Sequence, residues 1–178
     1  MEFITRIYRW FAERPQRLTP YIVAVIGLGI LAKEMLPLYF AIPPLPAGQL
    51  QLVSVSLDGA RYVVMEDRVG KGGKQRAILL IVFAKPLEAE GVTVRYETKR
   101  EWIDCAKQEI ELEGAGFYND RGEQVLTRYF DRKPEKPGLI DKQVGYVCRG
   151  EKFPEPPVTG YQAAFAQATA VRAALTAQ

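Results

Sequence analysis

The sequence predicts an α+β protein in which a single N-terminal transmembrane helix precedes a small antiparallel β-sheet domain with a packed C-terminal helix. Three observations support this fold class. An apolar stretch covers residues 20–42, short strand-like runs separated by turns fill residues 49–152, and an Ala-rich segment with helical spacing follows within residues 153–178. Without the apolar stretch and the leader before it, roughly 130 residues remain, which is enough for one domain with its own core.

Residues 1–19 form a basic amphipathic leader. Its apolar residues recur at helical spacing, while its arginines fall elsewhere on the helical wheel. We expect a short helix that lies in the headgroup layer and contacts membrane lipid through its aromatic and basic side chains. A mobile basic leader is the alternative.

Residues 20–42 are interpreted as a membrane anchor that begins at Pro20 and Tyr21, with Thr19 as a suitable N-cap. About 23 residues rising 1.5 Å each span roughly 34 Å, which exceeds a hydrocarbon core of about 30 Å. Lys33 and Glu34 are the only charges in the stretch, and we expect them to reach toward the outer interface or to pair with a partner helix.

Two other interpretations of this stretch stay open. A dozen apolar residues after a basic region also describe a cleaved signal peptide, and a buried or interfacial helix would have a similar composition. The long basic region and the lack of a clear small-x-small cleavage site favour a retained anchor.

The orientation follows from charge, because four arginines lie just before the stretch and only Lys33 lies near its far end. The positive-inside rule then predicts a bacterial inner-membrane protein with a cytoplasmic N-terminus and a periplasmic C-terminal domain. An even number of cysteines in an oxidising compartment favours a disulfide between Cys105 and Cys148. Two buried free thiols in a cytosolic domain are the alternative.

Residues 49–152 are predicted to form an antiparallel sheet after a Pro-rich linker at 43–48. Strand-like runs alternate with turn signals, and the longest continuous apolar run, RAILLIVF at 76–83, indicates a central strand buried on both faces. The predicted turns are Asp58-Gly59, the glycine turn at 70–74 and Asn119-Asp120-Arg121-Gly122. Short strands joined by tight turns favour antiparallel pairing over parallel crossovers.

Two helices are expected in the C-terminal third of the chain. Residues 139–147 suit a short helix that presents Cys148 to the sheet. A Pro-rich break follows within residues 153–178, and then an Ala-rich helix that packs on the sheet or on a partner. The alternative for the last segment is a frayed tail.

Several classes of function are excluded by residue type and spacing. Basic and acidic residues nearly balance between Gly48 and Lys152, so no nucleic-acid surface is expected, and the chain has no His to act as a general base or metal ligand. The glycine turn at 70–74 lacks the spacing of a phosphate-binding loop. Glu109, Glu111 and Glu113 could bind a cation or act as acids, but such a row is more often the solvent-exposed face of a strand.

The region from roughly Leu50 to Gly150 resembles the surface-adhesin protein E domain family. The residues that match are Tyr62, Asp67, the run Trp102-Ile103-Asp104-Cys105-Ala106, then Tyr118, Asp120 and Gly122, and finally Gly145-Tyr146-Val147-Cys148. The resemblance implies an antiparallel sheet packed against helix, a bond between the two cysteines and a binding scaffold, since named members are surface lipoproteins that attach host proteins. This chain departs from the family because it has no lipobox cysteine and carries a long apolar stretch instead. No adhesive residues are therefore transferred.

The sequence thus predicts a non-catalytic, membrane-anchored protein whose extracytoplasmic domain binds a protein partner. The alternative is an accessory or assembly subunit of an inner-membrane complex. Neither interpretation requires a metal, a cofactor, a nucleic acid or a small-molecule substrate, and we expect no catalytic residues.

Overall fold

The computed structural model describes residues 42–138 and 141–177, which belong to a compact unit covering Ala41–Gln178. The basic leader and almost all of the expected anchor, including Pro20, Tyr21, Lys33 and Glu34, lie outside the described residues. Within the described ranges, no helix is long and apolar enough to cross a membrane.

Eight strands form one antiparallel sheet in the described part of the chain. They are β1 (Gln49–Val55), β2 (Gly59–Val69), β3 (Gln75–Ala89), β4 (Val92–Asp104), β5 (Glu109–Tyr118), β6 (Gln124–Tyr129), β7 (Pro134–Glu135) and β8 (Val158–Thr159). The spatial order is β6-β5-β4-β3-β2-β1-β8, and β7 pairs with β5. Consecutive strands from β1 to β6 are neighbours, so the predicted antiparallel hairpins are confirmed.

The apolar run at 76–83 lies within β3, the central strand of this order. Its alternate residues face opposite sides of the sheet. Leu80 and Val82 belong to one core cluster, while Leu79 and Ile81 belong to another. The sheet is therefore covered on both faces at its centre, as the continuous apolar run predicts.

The C-terminal helix α2 (Tyr161–Thr176) covers one face of the sheet. Its buried Ala164 and Ala168 let the helix approach closely, and the hydroxyl of Tyr62 donates a 2.8 Å hydrogen bond to the carbonyl of Ala164. Burial raises the pKa of the Tyr62 phenol well above its ordinary value, so this donor stays protonated. The predicted packing of the Ala-rich helix on the sheet is thus confirmed.

The short helix α1 (Gln143–Arg149) lies on the opposite face, where Val144 packs against Val63, Leu79 and Ile103. The sequence placed this helix at 139–147; residues 139 and 140 lie outside the described ranges, and the helix ends at Arg149, two residues later than predicted. Cys148 in α1 forms a disulfide with Cys105, which follows β4, across a Cα–Cα distance of 5.3 Å. The predicted cysteine pairing is present.

Strand β8 was not predicted from the sequence. Its two residues, Val158 and Thr159, pair with Leu50 and Gln49 of β1 directly after the Pro-rich break. Two residues are too few to give a periodic signal, and their pairing depends on a strand more than a hundred positions away. The C-terminal segment therefore extends the sheet as well as covering it.

Residues 43–48, predicted as a Pro-rich linker, cross the α2 face of the sheet. The buried carbonyl of Pro43 accepts hydrogen bonds from the Thr98 hydroxyl (2.8 Å) and the Tyr118 hydroxyl (2.7 Å). Gly116 lies beneath this crossing, and a Cβ at that position would come within 3.0 Å of the Ile42 side chain and 2.7 Å of the Tyr118 hydroxyl. The absence of a side chain at Gly116 thus permits the close approach.

Removal of both hydroxyls, as Thr98→Val with Tyr118→Phe, is expected to destabilise the protein by more than the two single substitutions added together. Either donor alone still satisfies the Pro43 carbonyl, so each single change should cost about 1 kcal/mol, whereas the double change leaves a buried acceptor unpaired at about 1–3 kcal/mol more. Urea unfolding of the wild type, the two single variants and the double variant gives the coupling free energy between the two substitutions. Strictly additive costs would contradict the shared acceptor.

Candidate binding cleft

A surface cleft of about 370 Å³ opens beside α1, over the ends of β4 and β5. Among the described residues, its lining comprises Lys99, Glu101, Ile110, Leu112, Phe130, Asp131, Lys133, Glu135, Lys136 and Asp141. Its volume is at the lower end of the range of about 300–1,000 Å³ for ligand sites. The cleft combines an apolar floor with charged walls.

The floor comes from two neighbouring strands. Ile110 and Leu112 alternate along β5, and Leu112 lies opposite Glu101 of β4. Phe130, which directly follows β6, contributes an aromatic wall with 39% of its surface exposed, and the adjacent Tyr129 is 49% exposed. Exposed aromatic side chains at the rim of a cleft are typical of protein-binding surfaces.

Glu101 is the most buried charged group of the lining, with 5% of its surface exposed. Its carboxylate Oε2 accepts a 3.1 Å hydrogen bond from the amide of Gln143, the first residue of α1. Burial raises the pKa of the Glu101 carboxyl from 4.5 to about 7. The Gln143 hydrogen bond and the positive charges of Lys99 and Arg61 lower this pKa, and the negative charge of Asp141 raises it, but all four effects are smaller than that of burial. Glu101 therefore changes charge near neutral pH.

The cations near Glu101 have other partners. Lys99 forms an ion pair with Glu97 at 3.3 Å, and Arg61 forms one with Asp141 at 3.1 Å. No Lys or Arg nitrogen of the described ranges lies within 4 Å of the Glu101 carboxylate. The cleft thus contains a buried carboxyl that lacks a cation.

The Glu101→Gln substitution should flatten the dependence of stability on pH. Because the folded-state pKa of Glu101 is raised, the folded protein binds this proton more tightly than the unfolded chain does, and stability falls as pH rises from 4.5 through 7. The variant should match the wild type near pH 4.5 and exceed its free energy of unfolding by up to about 3 kcal/mol at pH 8. Urea unfolding across this range measures the difference. Parallel curves of unfolding free energy against pH for the two proteins would contradict the raised pKa. The control is Glu90→Gln, a substitution of the same kind at an exposed position.

A network of buried charges occupies the opposite face of the same strands. Arg76 contacts Glu66 at 3.1 Å and Glu113 at 2.8 Å, and Arg132 also pairs with Glu113. Arg100 contacts Glu66 at 3.2 Å. The expectation that the row of Glu109, Glu111 and Glu113 forms a solvent-exposed face is wrong, because Glu113 is only 7% exposed.

The other members of that row are also engaged. Glu111 pairs with Lys74, and Glu109 lies 3.3 Å from Lys136. The register between β4 and β5 shifts between Arg100 and Glu101, which leaves Glu113 as the extra residue of β5 at a β-bulge. The row therefore serves in ion pairs that hold the strands together.

The glycine turn at 70–74 is a hairpin connection between β2 and β3, as predicted, with a 3-10 turn at Lys71–Gly73. A Cβ on Gly70 would lie 2.5 Å from the indole of Trp102, and the guanidinium of Arg76 lies 5.1 Å from the centre of a Trp102 ring. The absence of a side chain at Gly70 therefore leaves room for Trp102, whose ring makes a cation–π contact with Arg76.

Of the predicted site residues, Cys105 and Cys148 come together, whereas Pro20, Tyr21, Lys33 and Glu34 lie outside the described residues. In the ranges that the structure describes, no group of three or more acidic or cysteine side chains is arranged to hold a metal ion. Sequence reasoning missed the cleft, although the polar Glu101 on the same strand face as the buried Ile103 was an available signal.

Comparison of the chain with protein-family models, with curated proteins and with solved structures gives no match. The resemblance to the surface-adhesin protein E family therefore stays a prediction based on residue spacing.

Proposed function

We propose that this is a non-catalytic, membrane-anchored protein whose extracytoplasmic domain binds a protein partner. The observation that carries the proposal is the cleft beside α1, with Ile110 and Leu112 on its floor and the partly exposed aromatic side chain of Phe130 in its wall. A small apolar depression with an aromatic edge and charged walls suits side chains that project from another protein.

The disulfide supports the extracytoplasmic location. Disulfides persist in oxidising compartments and are rare in the cytosol. The bond joins the turn after β4 to α1, whose first residue, Gln143, donates a hydrogen bond to Glu101 of the cleft. A periplasmic domain behind an anchor at residues 20–42 fits both the cysteines and the charge pattern of the leader.

The engaged state of the glutamate row supports a non-catalytic domain. Each of the three carboxylates, Glu109, Glu111 and Glu113, forms an ion pair. These contacts favour a structural role for the row over a role as a general acid or base. The resemblance to adhesin-like domains points in the same direction, and we transfer from it only the cysteine pair and the scaffold.

The test is site-specific photo-cross-linking in native membranes. A benzoylphenylalanine that replaces Phe130 should give a discrete cross-linked product, whereas the same group at Gln162, an exposed residue of α2, should give none. The captured protein, identified by mass spectrometry, should then bind the purified full-length chain. Equal capture from both positions, or none from Phe130, would contradict the proposal.

The second candidate is an accessory subunit of an inner-membrane complex, and the attachment of Pro43 to the sheet favours it. With the Pro43 carbonyl held by Thr98 and Tyr118, the segment that follows the apolar stretch is part of the folded sheet domain. Copurification of stoichiometric membrane subunits in mild detergent, lost when the anchor is replaced, would favour this candidate over the first.

A further inference from the structure

The buried carboxyl of Glu101 is the starting point, because it has unused capacity for hydrogen bonds and charge. Gln143 donates to Oε2, and no described donor reaches Oε1. Gln143 itself is 1% exposed and keeps its amide oxygen without a hydrogen-bond partner. A carboxylate in this setting favours a cationic donor, since buried charges are otherwise paired.

The remaining walls of the cleft point to the same kind of guest. Lys133 and Lys136 have acidic neighbours, Asp131 at 3.9 Å and Glu109 at 3.3 Å. Glu135, like Glu101, forms no ion pair with a described residue. The unpaired charges of the lining are therefore negative, and charge complementarity calls for a positive group.

The floor suits the stem of a long basic side chain. Ile110 and Leu112 provide an apolar track on β5, and Glu101 lies across the strand pair from Leu112. Lysine and arginine combine an aliphatic stem with a charged head, so one such side chain can use both features at once. A purely apolar guest would leave Glu101 without a partner.

We propose that the cleft binds a lysine or arginine side chain of the protein partner, with its stem on Ile110 and Leu112 and its charged head against Glu101. This assignment rests on the proposed function and specifies the chemistry of the contact. Glu101 is faced by Gln143, Lys99, Asp141 and Arg61, and the guest adds the cation that these neighbours do not supply.

The test uses Nα-acetyl-lysine methylamide and Nα-acetyl-arginine methylamide, whose side chains keep their positive charge, as probes on the full-length protein in detergent. The methyl resonances of Ile110 and Leu112 should shift saturably with either probe, and N-acetyl-norleucine methylamide, which lacks the charge, should bind at least about fivefold more weakly. Glu101→Gln should abolish this preference, whereas Glu90→Gln, at an exposed position, should keep it.

A second measurement uses the wild type alone. The apparent dissociation constant scales inversely with the fraction of protein whose Glu101 is ionised, so binding should strengthen about tenfold from pH 6 to pH 8. Equal binding of the norleucine probe, an unchanged preference in Glu101→Gln or no saturable shift would overturn the assignment. If a cross-linker at position 130 captures a partner but the basic probes do not bind, the assignment of a basic side chain is wrong and the proposed function is unaffected. If the probes bind but no partner is captured, the proposed function falls.

Discussion

Replacing Cys105 and Cys148 together by serine is expected to lower the free energy of unfolding by about 4 kcal/mol. The bond joins residues 43 positions apart, and its loss frees a loop that contains β5, β6 and β7 in the unfolded chain. It also releases α1 from the turn after β4. Urea unfolding of the full-length wild type and the double variant under identical conditions measures the change.

A reducing agent provides the matched control for the disulfide. It should destabilise the wild type by a similar amount and leave the double serine variant unaffected. A wild-type unfolding midpoint that does not respond to full reduction would contradict a stabilising role for the bond.

Arg76→Met is expected to be the second most damaging change, at about 3–5 kcal/mol. Arg76 is 5% exposed and contacts both Glu66 and Glu113. Its removal therefore takes a positive partner away from two carboxylates that are buried or partly buried. The methionine keeps much of the volume next to Trp102, which separates the loss of charge from the loss of packing. Chemical denaturation again gives the difference.

The control for Arg76 is Arg128→Met, because Arg128 forms an ion pair with Glu90 in which both side chains are about half exposed. Such a pair contributes at most about 1 kcal/mol. Adding Glu113→Leu to Arg76→Met should recover part of the lost stability, since it removes a buried carboxylate that would keep only the half-exposed Arg132 as a cationic partner. Similar costs for Arg76→Met and Arg128→Met would contradict the importance of the buried network.

The sheet could be predicted from the sequence because its signals are local. A continuous apolar run identified the central strand β3, and Asp58-Gly59 and Asn119-Asp120-Arg121-Gly122 identified hairpins between strands that are neighbours in the chain. Each of these signals depends only on residues within a few positions of one another. The C-terminal helix followed in the same way from its own spacing.

The cleft and the charge network could not be predicted in this way. Glu101 gains its significance from Gln143, 42 positions later, and Glu113 is buried against Arg76, 37 positions earlier. Strand β8 likewise depends on β1 at the other end of the domain. Such contacts are set by tertiary packing, whereas the sequence pattern reports only the face on which a residue lies.

The most direct test is the affinity of the captured partner for two variants that each lose one exposed apolar side chain. Phe130 borders the cleft, and Leu175 lies on α2, on the other face of the sheet. If the cleft is the binding site, Phe130→Ser should weaken binding by about tenfold or more, which corresponds to about 1.4 kcal/mol, while Leu175→Ser should leave it unchanged. Equal affinities for the two variants, or a loss confined to Leu175→Ser, would contradict a partner bound in the cleft.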